Sequence, residues 1–540
     1  MNDRSKPYKG RMLFPAVLAL TQVAWIHVAQ ASSESEGMPG EESTTPGAPS
    51  DPAPVPSPGS GETAARADEK GASQSLAPAD VSATPKSSAP AAVMAAPTTS
   101  WFARPSLTLS AGEGAQKFRV TIYGFVEADY IFDTTRSYDD AIGSSLVARS
   151  DTYDGRTGRS QFSMRNTRLG FAFESPAVGE LKPSAVIEGD FFGHQSSPPT
   201  NSEGNFFDSP TFRIRHAFVK LQTPYVDVLM GQTYDVFGWQ NYFFPCSAEF
   251  LGLPNQLFSR HAQLRLSRGF NSEGAVGVEV AAAAVRPAQR DSEVPDGNFG
   301  LRLSANHWKG ITTPGNVGTV ALPLSVGVSG TVRQFKVNKF LPPPAQGSNS
   351  VMGWGISVDA LVPIIPATSA EDRGNRLTLI GSFVKGAGIA DLITSGGGAK
   401  FPMLSNPAQA SPPPLYDADI DNGLVSFDRQ TGLLHPINWQ AFRIGLQYYL
   451  PPSGRVLFSA NYTQSHSDNL VKLFPQGGSE IELLGSIADT IRYADANLFW
   501  DITPAVRVGV SGQYTQVEYL GSNGNKPHNV RGMGQTLYQF

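Results

Sequence analysis

Period-two alternation of apolar and polar residues, sustained over segments long enough to cross a bilayer as strands, most narrows what this chain can fold into. In residues 119–132, Val120, Ile122, Gly124, Val126, Ala128, Tyr130 and Phe132 share one parity, while Arg119, Thr121, Tyr123, Glu127 and Asp129 take the other. Successive strand side chains point to opposite faces, so such a segment has one apolar and one polar face. The pattern returns at Val506, Val508, Val510 and Tyr514 against Arg507, Ser511, Gln513 and Thr515, and at Phe442, Ile444 and Leu446 against Arg443 and Gln447. Strands are expected at 118–132, 161–174, 181–193, 211–222, 225–235, 260–268, 274–284, 297–308, 319–335, 350–362, 374–388, 438–450, 453–466, 487–500, 504–519 and 528–540, sixteen in all. Parity is ambiguous in the fourth and fifth, where Arg213 and Arg215 share a face with Val219.

The connections alternate between short (Thr223-Pro224, Pro451-Pro452, residues 501–503) and long (133–160, 194–210, 236–259, 389–437, 467–486). Short periplasmic turns and long extracellular loops belong to membrane barrels, and in lipid no sheet edge can stay unpaired. The expected fold is therefore all-β: a 16-stranded antiparallel transmembrane β-barrel over residues 118–540, preceded by a disordered segment. Arg4, Lys6, Lys9 and Arg11, the apolar stretch 12–29 and the ending Ala29-Gln30-Ala31 read as a signal peptide cleaved after Ala31. No cysteine follows that site to carry a lipid anchor. Residues 32–117 are rich in Pro, Ala and Ser, with no aromatic before Trp101, and are expected to be disordered. The chain's charged content of 16% is low, and a net charge of −5 offers no support for nucleic-acid binding. A single cysteine, Cys246, excludes an internal disulfide framework or a Cys-based zinc cluster and reads as a small buried residue.

Parity puts Arg168, Arg265, Arg302, Arg333, Arg443, Arg455, Arg507 and Arg531 on polar, lumen-facing sides. Acidic lumen candidates are Glu127, Asp129, Glu188 and Asp190, with Glu279, Asp359 and Asp495 beside them. Any one arginine could merely pair with a neighbouring carboxylate; the set favours small anions, because many guanidiniums around one pore raise the local anion concentration. Loop 236–259 carries Phe237, Trp239, Tyr242, Phe243, Phe244 and Phe250, too apolar for a freely solvated loop. It either folds into the barrel as a constriction or buttresses a subunit interface. Asp417, Asp419, Asp421 and Asp428 resemble the start of a calcium loop, but Gly423 falls one place late and the last ligand is not Glu, so a solvated acidic loop is expected and no metal. Motifs of nucleophilic, zinc or phosphate chemistry are missing, so neither an enzyme nor a cofactor is expected. An adhesin or autotransporter would need a passenger domain ahead of the barrel.

The terminal Leu537-Tyr538-Gln539-Phe540 places Tyr538 and Phe540 on the apolar face, an ending similar to the signal read by the barrel-assembly machinery. With the segments placed, the chain resembles the DcaP-like outer-membrane porin family. The carrying residues are Tyr123-Gly124-Phe125 with Ala128-Asp129, Thr167-Arg168-Leu169-Gly170-Phe171, Glu188-Gly189-Asp190-Phe191-Phe192 and Arg213-Ile214-Arg215-His216-Ala217-Phe218-Val219. Gly231-Gln232-Thr233, Gln263-Leu264-Arg265 and Pro295-Asp296 complete them. The resemblance implies a homotrimer of 16-stranded barrels in the bacterial outer membrane, uptake of small anions such as dicarboxylates, and constriction arginines at Arg168 and Arg265. Family members carry a coiled-coil-forming helix before the barrel; residues 32–100 show no heptads and many prolines, which excludes it here, so a trimer would rest on barrel contacts alone.

Overall fold

The computed structural model describes residues 107–144, 146–193, 210–289, 292–338, 348–396, 423–427, 433–473, 487–520 and 526–540. The expected signal peptide, most of the expected disordered segment and Asp417, Asp419, Asp421 and Asp428 lie outside them. The strands are β1 Leu107–Ala111, β2 Phe118–Asp133, β3 Arg159–Ser163, β4 Arg168–Glu174, β5 Lys182–Gly193, β6 Thr211–Gln222, β7 Asp227–Tyr234, β8 Arg260–Phe270, β9 Val276–Val285 and β10 Asp296–Thr312. They continue with β11 Val320–Asn338, β12 Ser348–Ile365, β13 Arg376–Ala387, a small hairpin of β14 Val425–Phe427 and β15 Leu434–Pro436, then β16 Asn438–Tyr449, β17 Val456–Ser467, β18 Ala488–Asp501, β19 Val506–Tyr519 and β20 His528–Gln539.

Neighbouring wall strands pair antiparallel, β13 with β16 past the separate β14–β15 hairpin, and β20 returns to β2 from Phe125↔Gln539 to Asp133↔Arg531, closing the ring. The closed barrel has sixteen wall strands; β3 and β4 together fill one position, since both pair with the same edge of β2. At the seam Gly124 donates its N–H to the Phe540 carbonyl at 3.0 Å, and Phe540 returns one at 3.1 Å. A Cβ on Gly124 would stand 2.2 Å from the Arg168 carbonyl, so the close approach there needs glycine.

Apolar side chains such as Val126, Ile187, Leu301, Ile356, Leu498 and Tyr538 face outward and are exposed, forming the belt that lipid covers. Closing the sheet satisfies the wall's backbone groups within the protein, which lipid would otherwise leave unpaired.

Three local departures from regular alternation were hidden in the sequence. Leu107–Ala111, inside the span expected to be disordered, form β1 and pair with Ile122–Phe118, the stretch of β2 that β20 does not reach. The second expected strand breaks at residues 164–167, where Arg165 and Asn166 turn inward and Phe191 donates its N–H to the Arg165 carbonyl. In β6 the register slips where Glu188 opposes His216 but Gly189 opposes Ile214. This bulge admits Arg215 and His216 to the lumen together and reverses the parity beyond it. Arg213 and Arg215 therefore face in while Val219 faces lipid at 60% exposure, which resolves the ambiguity seen in the sequence.

The inward faces are not uniformly polar. Ala281, Ala283, Val285, Leu361 and Ile380 point in and pack against Val236, Trp239 and Phe243 of the long β7–β8 loop. Ile491, Tyr493, Val517 and Tyr519 likewise meet Ile142, Leu146 and Val147 of the loop after β2. Beneath these stretches of infolded loop the wall is apolar.

Candidate functional site

The loop between β7 and β8 crosses the lumen. Gly238, at φ +83, donates its N–H to Ser329 Oγ of β11 at 2.7 Å, a backbone region that favours glycine. Further along, Phe243 accepts from Arg443 Nη2 of β16 at 2.6 Å, Cys246 accepts from Asn461 Nδ2 of β17 at 2.8 Å, and Ala248 donates to Asn497 Oδ1 of β18 at 3.2 Å. Of the two places open to this apolar loop, the lumen is the one it takes. Cys246 is fully buried and burial pushes its thiol up to about 12, so it is inert at neutral pH.

Most of the expected pore arginines hold such loops in place. Arg302 pairs with Glu279 at 3.0 Å and lies 3.8 Å from the Tyr242 ring of the crossing loop. Arg333 bonds Asp296 and Asp391 and donates to the Gly388 carbonyl at 2.9 Å, pinning the segment after β13. Arg507 pairs with Asp501 at 2.7 Å and donates to the Asn316 carbonyl at 2.7 Å. Arg531 grips Asp133 with two hydrogen bonds and the carbonyls of Asp139 and Asp140 with two more. Arg443 has no salt bridge within 4.0 Å among the described residues and instead holds Phe243. Arg455 precedes β17, in the exposed turn after β16, where its carbonyl accepts from the Asp501 N–H; it shares the parity of the buried Leu457, Ser459 and Asn461 but lies before the strand begins.

The remaining candidates gather on one side of the lumen. Arg168 of β4 stands 3.6 Å from Glu188 of β5, and Arg215 of β6 bonds Glu188 at 2.9 Å and Asp190 at 3.0 Å. Arg213 adds a two-pronged bond to Asp190, at 2.9 and 2.7 Å. Arg260, at the start of β8, lies over the Tyr234 and Phe258 rings. Four guanidiniums thus face two carboxylates, a local surplus of positive charge. Nε of Arg168, which stands 3.6 Å from Glu188, and Nη1 of Arg260 are buried without a hydrogen-bond partner. Arg265 sits further along β8 than Arg260, bonded to Gln263 and the Tyr234 carbonyl, with no carboxylate within salt-bridge reach among the described residues. Arg213, Arg215 and Arg260 were not placed in the lumen from sequence, because the bulge showed only as an ambiguous parity in β6 and Arg260 stands at the very start of β8.

The other expected acids lie near β2. Glu127 accepts from Gln535 Nε2 at 2.7 Å and Asn166 Nδ2 at 2.9 Å. Neither oxygen of the buried Asp129 makes a hydrogen bond of normal geometry. A narrow cleft runs between this wall and the loops, lined by Arg168 and Arg215 on one side and by Phe244, Glu249, Phe250 and residues 314–317 on the other. Among the described residues no group of three or more His, Cys, Asp or Glu is placed to hold a metal ion.

Superposed on solved structures, the chain matches the outer membrane channel DcaP of Acinetobacter baumannii with a TM-score of 0.52 at 16% identity, over 80% of this chain and 100% of that one. It shares that channel's fold. OmpT of Vibrio cholerae in its trimer form (TM-score 0.43, 12% identity, 78% of this chain and 99% of that one) and an anion-selective porin from Comamonas acidovorans (0.42, 11%, 78% and 100%) superpose too loosely to carry an argument. No family model and no curated protein matches the sequence. The barrel, with its lipid-facing belt, is a protein of the bacterial outer membrane.

Proposed function

We propose that the barrel is a porin giving passive, anion-biased passage to small solutes, above all carboxylates and dicarboxylates. The observation that carries this is the surplus of guanidinium on one side of the lumen, Arg168, Arg213, Arg215 and Arg260 near Glu188 and Asp190, with Arg168 and Arg215 lining the cleft. A planar guanidinium fork matches a carboxylate's two oxygens, and a low-dielectric cleft focuses its field. A solute entering along this wall meets Arg168 and Arg215, whose guanidiniums can replace its water before it passes on. Arg265, Arg302, Arg333, Arg443, Arg507 and Arg531 serve this reading by shaping the lumen and adding positive potential.

Glu249, on the crossing loop, lines the same cleft. Burial raises its carboxyl to about 7 against the opposing pull of Arg531, 3.8 Å away, and of the Ile142 and Phe250 N–H groups; Asp133 also faces it. Below that pH it takes up a proton and the cleft loses a negative charge.

Single-channel recording with succinate as a blocker tests the proposal. Succinate should interrupt the current where a neutral sugar of similar size does not, and Arg168→Ala should weaken that block by roughly tenfold, the worth of one charge-assisted bond of about 1.4 kcal/mol. The block should strengthen as pH falls through about 7 and lose that dependence in Glu249→Gln. Equal block by succinate and sugar would remove the carboxylate assignment. We further propose a homotrimer resting on barrel contacts, as the family resemblance implies, and Tyr538 with Phe540 as the end read by the barrel-assembly machinery. The outward, exposed Tyr538 and the seam position of Phe540 support the latter.

A further inference from the structure

The connection from β10 to β11 is short and would be expected to sit at the periplasmic rim, as such turns do. It folds up into the lumen instead. Thr312, Thr313, Asn316 and Thr319 are all buried. The Thr313 N–H bonds Gln447 Oε1 of β16 at 2.7 Å, and its hydroxyl meets the Tyr449 hydroxyl at 2.5 Å. The tip reaches the wall across the ring: the Asn316 carbonyl accepts from Arg507 of β19 at 2.7 Å, and its amide approaches Glu127 of β2 at 3.5 Å. It also joins the crossing loop from below, since Gly315 donates to the Pro245 carbonyl at 2.7 Å and Ser247 donates to the Gly315 carbonyl at 2.8 Å. Gly315 and Gly318 stand at φ +64 and +68, which lets so short a segment reverse inside the barrel. Residues 314–317 then form part of the cleft that faces Arg168 and Arg215.

We infer that this turn is a second constriction element, and that Asn316 at its tip determines which solutes pass the cleft by size. The crossing loop narrows the lumen from the extracellular side and this turn narrows it from the periplasmic side. Solutes are thereby confined to the arginine wall. The inference rests on the barrel being a solute channel, but it concerns size and not charge.

The test uses the full chain reconstituted in planar bilayers and in liposomes. One variant replaces residues 314–318 with two glycines, a second is Asn316→Trp, and a control is Tyr225→Trp in the exposed turn between β6 and β7. The shortened turn should raise single-channel conductance at least about twofold and admit larger neutral sugars in liposome swelling. Asn316→Trp should lower conductance by a similar factor, and the control should match the parent. Asn316→Trp keeps the test decisive if the shortened chain fails to fold. A folded Asn316→Trp barrel with parental conductance and parental sugar exclusion overturns the inference while leaving the channel reading in place. Absence of conductance in the parent overturns both.

Discussion

Arg215→Ala is expected to be the costliest single substitution in the barrel, destabilising it by roughly 3–5 kcal/mol, the usual penalty for stripping a partner from a buried charge. The Arg215 guanidinium is 2% exposed and divides its N–H groups among Glu188, Asp190 and the Tyr234 hydroxyl, the last at 3.0 Å. Its removal leaves two carboxylates in the wall with fewer donors. Arg168 stands 3.6 Å from Glu188 without a hydrogen bond to it, and only Asp190 keeps a two-pronged partner in Arg213. Lysine would not rescue the site, because one ammonium cannot span both carboxylates and the phenol with a fixed fork. Arg492→Ala is the matched control: its partner Glu518 is a quarter exposed, and such pairs contribute about 1 kcal/mol or less. Urea unfolding in lipid vesicles, followed by tryptophan fluorescence, compares the two. Equal midpoints for Arg215→Ala and Arg492→Ala would show that the ion-pair ladder is not a pillar of the wall.

The second large effect is expected from excising the crossing loop. Replacing residues 238–256 with a short Gly-Ser linker should raise conductance about threefold or more, because a 16-stranded barrel without an inward loop encloses an open aqueous channel. The same change should lower stability. Trp239, Tyr242 and Phe243 pack on Ala281, Ala283, Val285, Leu361 and Ile380, and each large apolar side chain so buried contributes roughly 1.5–3 kcal/mol. Wall groups that serve the loop would meet water instead: Arg443 would lose the Phe243 carbonyl, and Asn461 that of Cys246. Bilayer recording and vesicle unfolding on the same preparation read both consequences. Unchanged conductance in a folded variant would mean that the loop does not govern the passage.

The wall was legible in the sequence and the lumen only partly so, for a physical reason. All sixteen wall positions were recovered because each strand must show lipid an apolar face, and that demand repeats at every second residue. The demand says nothing about features that break the period. The bulge that turns Arg215 and His216 inward together, the break at residues 164–167 and the extra strand at Leu107–Ala111 therefore went unseen. Lumen-facing arginines were visible by parity, but not what they do, since their partners come from loops far away in sequence. Arg443 holds the carbonyl of Phe243, and Arg507 that of Asn316. The crossing loop announced itself by its aromatics. The turn at Thr313-Pro314-Gly315-Asn316 carries no such aromatic cluster, and only its contacts reveal where it sits.

Anion-biased conduction is tested by the reversal potential of the purified full chain in a planar bilayer held across a potassium chloride gradient. The arginine-rich cleft wall predicts a conducting channel whose reversal potential lies on the chloride side of zero, and Arg168→Ala together with Arg260→Ala should move it toward zero. A reversal potential on the potassium side, or one that the double substitution leaves in place, would contradict it.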